Sequence, residues 1–592
     1  MSTADNIFLL RTKMLANGID AVIIPNSDPH MSEYISGHWK KRDFISGFTG
    51  SAGTIVIMAD EAGLWTDSRY YLQAEDELAG SGIDLYKTGE SSTPHYSDWI
   101  AERLNPGSTI SIESLVFSTD DARKLAKKFK PYGLHLDTQG NILDEIWQGR
   151  PPIPENNVFV HDTEYAGLSR TEKITMIREE MRNVDASHYI VSALDEIAWV
   201  LNLRGSDVSY NPVFHSYLII SLDSVHLFID THKITANIGK ELSNDEISIH
   251  LYGDVFKWIN EMPSDSGLLF DTSTTNARIY SLIPKEVIKI ENPSYVRRIK
   301  GTKNEVEQNG FRTAMLKDGV AMTKFLHWLE QEVPSGNVSE ISASKQLKKF
   351  RAENENFIGE SFGTISGFGA HGAIVHYSAD KDSDIKLTTN SFYLVDSGGQ
   401  YLEGTTDITR TIHFGEPTEQ QKTDFTLVLK GNIALDSTIF PKGTRGVHLD
   451  ILARKALWSH GLNYGHGTGH GVGCFLNVHE GPQSIRPDDN GICLEEGMVS
   501  SNEPGLYRAN EYGIRIENLL LTTKAQSTEF GDFLQFETLT LCPIDLKSIK
   551  KELLTEEEIL WLNNYHKNVY ESVSPFLNDT LKAWLKENTR SI

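Results

Sequence analysis

At 592 residues the chain is too long for one hydrophobic core, and ordinary domain sizes divide it into three or four units. Its 39% hydrophobic and 23% charged content describe a globular protein rather than a disordered or fibrous one, and no run approaches the roughly 18 apolar residues that cross a bilayer. A formal charge of −25 excludes nucleic acid as the main partner, because phosphate binding needs a basic surface, and three cysteines (Cys474, Cys493, Cys542) exclude a disulfide framework and favour a reducing, cytoplasmic setting.

The N-terminal stretch lacks the apolar core and small-residue site of a secretory signal, so none is expected. An amphipathic segment leads into the apolar run Ala21–Ile24, a polar stretch with Asp28, and two further strands at Thr54–Ile57 and Leu64–Asp67. The same order returns about 165 residues later. Ser169 and Glu172 form a capping box opening a helix with Ile174, Ile177 and Met181, followed by Tyr189–Val191, Asp195, Tyr217–Ile220 and Leu227–Asp230. The offset from Asp28 to Asp195 matches that from Asp67 to Asp230, so the front half reads as two copies of one α/β domain, 1–155 and 156–300. Thr302 and Glu305 read as a further capping box, starting a long helix with Ala314, Met315, Met322, Phe325, Leu326 and Leu329 on its apolar side and a last domain at 301–592. Thr555 and Glu558 begin a C-terminal helix through Ile559, Leu562 and Tyr565 that reads as packing.

Chemistry concentrates after residue 360. A buried-strand pattern, Phe392–Val395, ends in Asp396, and Gly398 and Gly404 suit a bend that would set Asp396 facing Asp407 on the next strand. Two opposed, half-buried carboxylates repel and need protons or a cation, although a solvated hairpin would also explain them. His466 and His470 then sit among five glycines in Gly465–Gly473, with His479 just beyond, and glycine at that density lets backbone approach a bound group. Glu503 follows in Asn502–Tyr507, and Glu517 reads as set into a strand running from Ile514 through Leu521. A glutamate there is costly unless it is paired, for which Arg515 is a candidate, or metal-bound. Four carboxylates and one imidazole suit two divalent ions such as Mn²⁺ rather than a structural zinc, and a hydroxide shared by two such ions is a strong nucleophile at neutral pH.

The order Asp396, Asp407, His470, Glu503, Glu517 resembles the pita-bread fold shared by methionine aminopeptidase, prolidase and aminopeptidase P. More closely, the chain resembles the three-domain cytosolic Xaa-Pro aminopeptidases of peptidase family M24. The likeness runs through Phe48–Gly53, Trp65–Tyr70, Leu194–Trp199, Arg204–Asp207 with Asn211–Val213, Gly404–Asp407 and Phe475–Pro482. It implies two creatinase-like α/β domains and a pita-bread catalytic domain with a helical extension. It also implies removal of the residue preceding a proline from peptides with proline in second position, and a homodimer. Carried over, Asp396, Asp407 and Glu517 hold one ion, and Asp407, His470, Glu503 and Glu517 the other. Glu503 shuttles the proton, and His376, His466 and His479 donate to the substrate carbonyl and the oxyanion. His466 and Tyr507 flank the proline ring, and Arg515 and, from the front of the chain, Arg69 complete the substrate contacts. Prolidase, a metal-free creatinase-like hydrolase and an inactive peptide-binding module are the alternatives. The doubled front half weighs against the first, and the complete ligand set against the other two.

Overall fold

The computed structural model describes residues 2–592 as two compact units, one running to His161 and resuming at Leu168–Val296, the other formed by Asp162–Gly167 and Arg297–Ile592. In the first, helix α1 (Thr3–Asn17) precedes a six-stranded sheet of β1 (Ala21–Pro25), β2 (Thr54–Met58), β3 (Ala62–Thr66), β4 (Asp84–Lys87), β5 (Thr109–Ser111) and β6 (His135–Asp137), in spatial order β4-β3-β2-β1-β5-β6. Alternate residues of β1 face opposite layers: Val22 and Ile24 join one apolar core and Ala21 and Ile23 the other, as a strand covered on both faces requires.

The second sheet repeats this plan. After helix α2 (Arg170–Asn183), whose capping box is Ser169 with Glu172 as expected, come β7 (His188–Val191), β8 (Ser216–Ser221), β9 (Val225–Ile229), β10 (Ile247–His250), β11 (Gly267–Phe270) and β12 (Ile288–Glu291). Their order, β10-β9-β8-β7-β11-β12, is the first sheet's order strand for strand, so the repeat heard in the sequence is a repeat of architecture.

The second unit opens on helix α3 (Glu305–Glu332), and here the sequence expectation needs correcting. Its capping box is Asn304 with Glu307, not Thr302 with Glu305. Thr302 is committed to a bridge with Met498, and Asn caps as well as Thr, so the helix starts two residues later. Helix α4 (Glu340–Ala352) packs on α3, and a three-stranded sheet follows: β13 (Ile365–Phe368), β14 (Phe392–Ser397) and β15 (Ile408–His413), with β14 central. Helices α5 (Glu419–Asp436) and α6 (Gly446–Trp458) pack together beside a larger sheet. That sheet is built from β16 (Phe440–Pro441), β17 (Gly469–Gly471), β18 (Glu480–Ile485), β19 (Val499–Asn502), β22 (Asn518–Thr528) and β23 (Gly531–Thr538), while β20 (Gly505–Arg508) and β21 (Tyr512–Arg515) form a separate hairpin. Helix α7 (Glu556–Val573), capped by Thr555 and Glu558 as expected, buries Leu562 and Tyr565 in the core shared with α5. Among the described residues no helix is long and apolar enough to cross a membrane.

Candidate metal centre

Strand β14 is buried along all six residues, so its one acid, Asp396, is carried inside by the apolar run before it. Asp396 does not face Asp407, contrary to the expectation from sequence: its partner across the ladder is Thr409. The chain between them does not bend straight back. It makes an extra hairpin of Gly399–Tyr401 with Gly404–Thr405, and Thr406 then returns so close that a Cβ on Gly398 would lie 1.9 Å from the Thr406 carbonyl oxygen. Asp407 therefore enters just off the end of the ladder, diagonal to Asp396.

The glycine-rich segment places His470 in β17 between two close backbone approaches. A Cβ on Gly469 would meet the Ser501 carbonyl at 2.0 Å, and one on Gly471 the Glu480 carbonyl at 2.2 Å, so only glycine fits at either position. Ser501 Oγ accepts the His470 N–H at 3.0 Å and donates to Glu503 Oε1 at 3.2 Å, tying the histidine to the next acid. Glu517 is not inside a continuous strand. It lies in the break between β21 and β22, its N–H donating to the Thr409 carbonyl (3.2 Å) and its carboxylate accepting from Thr409 Oγ1 (2.7 Å). Arg515 is not its partner either; Arg515 Nη2 pairs with Asp396 at 2.7 Å.

Ligand atoms of Asp407, His470 and Glu517 all lie within 4.8 Å of one another, and His470 Nε2 is 3.4 Å from Glu503 Oε1 and 3.6 Å from Asp407 Oδ2. His470 Nδ1 is 2.9 Å from its neighbour's carbonyl, Gly471 O, so Nδ1 bears the hydrogen and Nε2 turns a lone pair toward the carboxylates. Burial, then the charges of Glu517, Asp396 and Glu503, hold the Asp407 carboxyl well above the usual carboxylate range. Burial likewise raises Glu517, with Asp396 and Glu503 adding to it. Burial pushes Glu503 up to about 7, with Arg515 opposing. Asp396 Oδ1 and Asp407 Oδ1 are buried without a hydrogen-bond partner. A cluster of mutually repelling carboxylates with undonated oxygens and one imidazole lone pair fits divalent cations of the oxygen-and-nitrogen-preferring kind. Cys474 contributes no thiolate, its Sγ pointing to the Glu403 carbonyl.

Around this cluster, Arg515 Nη1 donates to Tyr507 OH (2.6 Å), and that hydroxyl donates to His466 Nε2 (2.8 Å). His466 Nδ1 is engaged with the Gly467 carbonyl (2.7 Å), so His466 offers its ring, not an N–H, to a ligand. The His479 ring stands edge-on, 4.4 Å from that of His470. His376 lies in the segment after β13, where the adjacent Val375 carbonyl accepts from Arg515 Nη2 at 3.4 Å. Arg69 belongs to the first unit, held by Asp67 in a two-point pair of 2.8 Å contacts. Sequence reasoning missed the residues that hold the cluster: Ser501, Thr409, and the α6 pair Asp450 and Arg454. Asp450 accepts from Thr468 Oγ1 at 2.6 Å, and Arg454 donates to the His466 carbonyl at 2.8 Å. The one signal available for the pair was two opposite charges four residues apart on an otherwise apolar helix face.

Residues 309–524 match metallopeptidase family M24, residues 7–146 and 149–307 each match the creatinase/prolidase N-terminal domain, and residues 532–592 match the C-terminal region of peptidase M24. The chain is 43% identical to aminopeptidase P2 of Arabidopsis thaliana, covering 97% of this chain and 86% of that protein. It is 41% identical to the probable Xaa-Pro aminopeptidase P of Laccaria bicolor, covering 99% and 93%. Among solved structures it superposes with a TM-score of 0.96 and 36% identity, over 100% of both chains, on the X-prolyl aminopeptidase of Caenorhabditis elegans, described as a cytosolic enzyme with a di-nuclear active site. With two matched N-terminal domains, a matched catalytic domain and full-length relatives, the chain belongs to the aminopeptidase P branch of metallopeptidase family M24.

Proposed function

We propose that this chain is an Xaa-Pro aminopeptidase that hydrolyses the bond between an N-terminal residue and a following proline at the cluster of Asp396, Asp407, His470, Glu503 and Glu517. The observation that carries this is the convergence of Asp407, His470 and Glu517, with Glu503 alongside and one undonated oxygen each on Asp396 and Asp407. Asp396, Asp407, His470, Glu503 and Glu517 would hold two divalent ions, Mn²⁺ in our assignment, which would supply a water ionised at neutral pH and a polarised scissile carbonyl. Glu503 would take up a proton at its carboxylate and deliver it to the leaving proline nitrogen. His376 and His479 donate hydrogen bonds to the carbonyl oxygen as it gains charge. Proline has no N–H, so strand-like pairing cannot recognise it. The His466 ring, fixed by the Tyr507 hydroxyl, supports recognition of the pyrrolidine by shape instead. Arg515 holds Asp396 by an ion pair and Tyr507 by a hydrogen bond.

The repeated sheet order supports a division at 1–155, 156–300 and 301–592. A cytosolic setting agrees with the description of the nematode enzyme, and a homodimer rests on the family resemblance alone. The test is kcat/KM on Xaa-Pro, Xaa-Pro-Xaa and Xaa-Ala-Xaa peptides, with metal content measured on the same preparation. Cleavage of Xaa-Pro-Xaa well above both others, with two metals per chain, is expected. Equal rates on Xaa-Ala-Xaa refute proline selection, and a preference for the dipeptide makes the protein a prolidase.

A further inference from the structure

The segment from Gly369 to Lys386 carries His376, yet its regular structure amounts to one short turn, Gly369–Ala373. Such a segment has little order of its own, and hydrogen bonds to the surrounding scaffold must fix its side chains. Four of them end on a single carboxylate. Glu340, the first residue of α4 and 0% exposed, accepts from the Phe368 N–H at 2.8 Å, where the segment begins. It accepts from His371 Nδ1 at 2.9 and 3.0 Å, from Tyr377 OH at 2.9 Å, and from the Ile385 N–H at 3.3 Å, where the segment ends. The Glu340 N–H itself donates to the Ile385 carbonyl at 3.1 Å.

A buried carboxylate is costly unless its lone pairs are filled, and here they are filled from the start, the middle and the end of one loop. The helix N-terminus on which Glu340 sits adds a favourable partial charge. On the other side, the loop is pressed against β21 so closely that a Cβ on Gly513 would lie 1.7 Å from the Gly372 carbonyl oxygen. His376 lies between the two anchors, with Val375 held by Arg515 before it and Tyr377 held by Glu340 after it.

We propose that Glu340 is a positioning residue for the peptidase reaction, holding the Gly369–Lys386 segment in the conformation that presents His376 to the substrate carbonyl. This rests on the function proposed above. Glu340 touches no reacting group; its carboxylate acts by gathering four donors that otherwise would let the loop choose among conformers.

The test is a double-mutant cycle of Glu340→Gln and His376→Ala, measured on an Xaa-Pro-Xaa peptide with metal content read in every variant. A misplacement of the order of 1 Å costs about 10²-fold, so Glu340→Gln is expected to lower kcat by roughly 10- to 100-fold, with KM moving less and metal content unchanged. In the His376→Ala background the same substitution should cost nothing further. Tyr377→Phe, which leaves three of the four donors, should show a smaller loss masked in the same way, and it serves if Glu340→Gln does not fold. Multiplicative losses in the double variant overturn the proposal, as does a wild-type rate in Glu340→Gln or a loss of metal that accompanies the loss of rate. A wild-type rate in His376→Ala removes the role given to His376, and this proposal with it.

Discussion

Replacing Arg351 by methionine tests what holds the two aspartates apart. Arg351 on α4 and Asp318 on α3 are both 0% exposed and meet in a two-point ion pair, Nε–Oδ1 2.6 Å and Nη2–Oδ2 3.0 Å. Arg351 Nη2 also donates to the Ser397 carbonyl (3.2 Å), and Thr406 Oγ1 donates to Asp318 Oδ2 (2.9 Å). Ser397 follows Asp396 directly and Thr406 directly precedes Asp407, so the pair clamps both acids by their neighbours. Removing one partner of a buried pair costs about 3–5 kcal/mol, because it leaves an uncompensated charge. Asp318 keeps the Tyr401 and Thr406 hydroxyls, which favours the lower end. At roughly 2–4 °C per kcal/mol for a unit of this size, melting should fall by about 6–12 °C. Calorimetry of the metal-free protein reads that loss, and titration of Mn²⁺ into the same sample should show weaker binding. Adding Asp318→Asn should recover much of the stability, since no lone charge then remains, without recovering Mn²⁺ affinity. A melting point within about 1 °C of wild type, or unchanged Mn²⁺ binding, would refute the clamp.

Asp407→Ala should remove metal and nearly all activity, since it deletes the carboxylate assigned to both ions; full activity, or one tightly bound zinc in the wild type, contradicts a two-ion site. Tyr507→Phe breaks the hydroxyl link from Arg515 to His466, so selection of Xaa-Pro-Xaa over Xaa-Ala-Xaa should narrow with metal content unchanged, as parallel kcat/KM measurements will report. Buried His566, its Nε2 accepting the Ile544 N–H, has its pKa lowered from 6.5 to about 3 by burial and Arg410. Its neutral form therefore stabilises the fold fully above pH 6.5 and loses that contribution as pH falls toward 3, about 2 kcal/mol by pH 5. His566→Gln should flatten that acid limb in a melting-against-pH series.

The duplicated front half was legible because its signals are local. Ala21–Ile24 and Tyr217–Ile220 are short apolar runs covered on both faces, and the Ser169–Glu172 and Thr555–Glu558 caps need no distant partner. Where two local answers competed, tertiary structure chose. Thr302–Glu305 and Asn304–Glu307 both fit the capping pattern, and the bridge to Met498 decided between them. The partner of Arg515 failed for a related reason. Placing residues 515 and 517 on one face assumes an unbroken strand, and the break at Ile516–Glu517 frees the guanidinium to reach Asp396, 119 residues earlier in the chain. The supporting residues were not legible at all. Glu340, Asp318 and Arg351 are single charges in amphipathic helices, indistinguishable in sequence from a solvated face, and their partners lie 28 to 88 residues away.

Once the chain is folded, the site acids differ from Asp318 and Glu340 in a way that does not depend on family resemblance. Asp318 and Glu340 are fully buried, and each has both oxygens donated to. Asp396 and Asp407 are nearly as buried, yet Oδ1 of each has no donor, and the charges set against Asp407 are mostly of its own sign. Undonated oxygens occur on other buried acids, Asp28 and Asp207 among them, but Asp407 combines one with three further acids set against it, a state that added positive charge relieves. The cost has a measurable consequence. In chelator at neutral pH, Asp407→Ala should raise the melting temperature above wild type, because a carboxyl held well above its ordinary range resists ionisation in the fold. With Mn²⁺ added the order should reverse, since only the wild type binds and is stabilised. A variant less stable than wild type in both conditions would mean that Asp407 is held for structure, and the argument from undonated oxygens would fail.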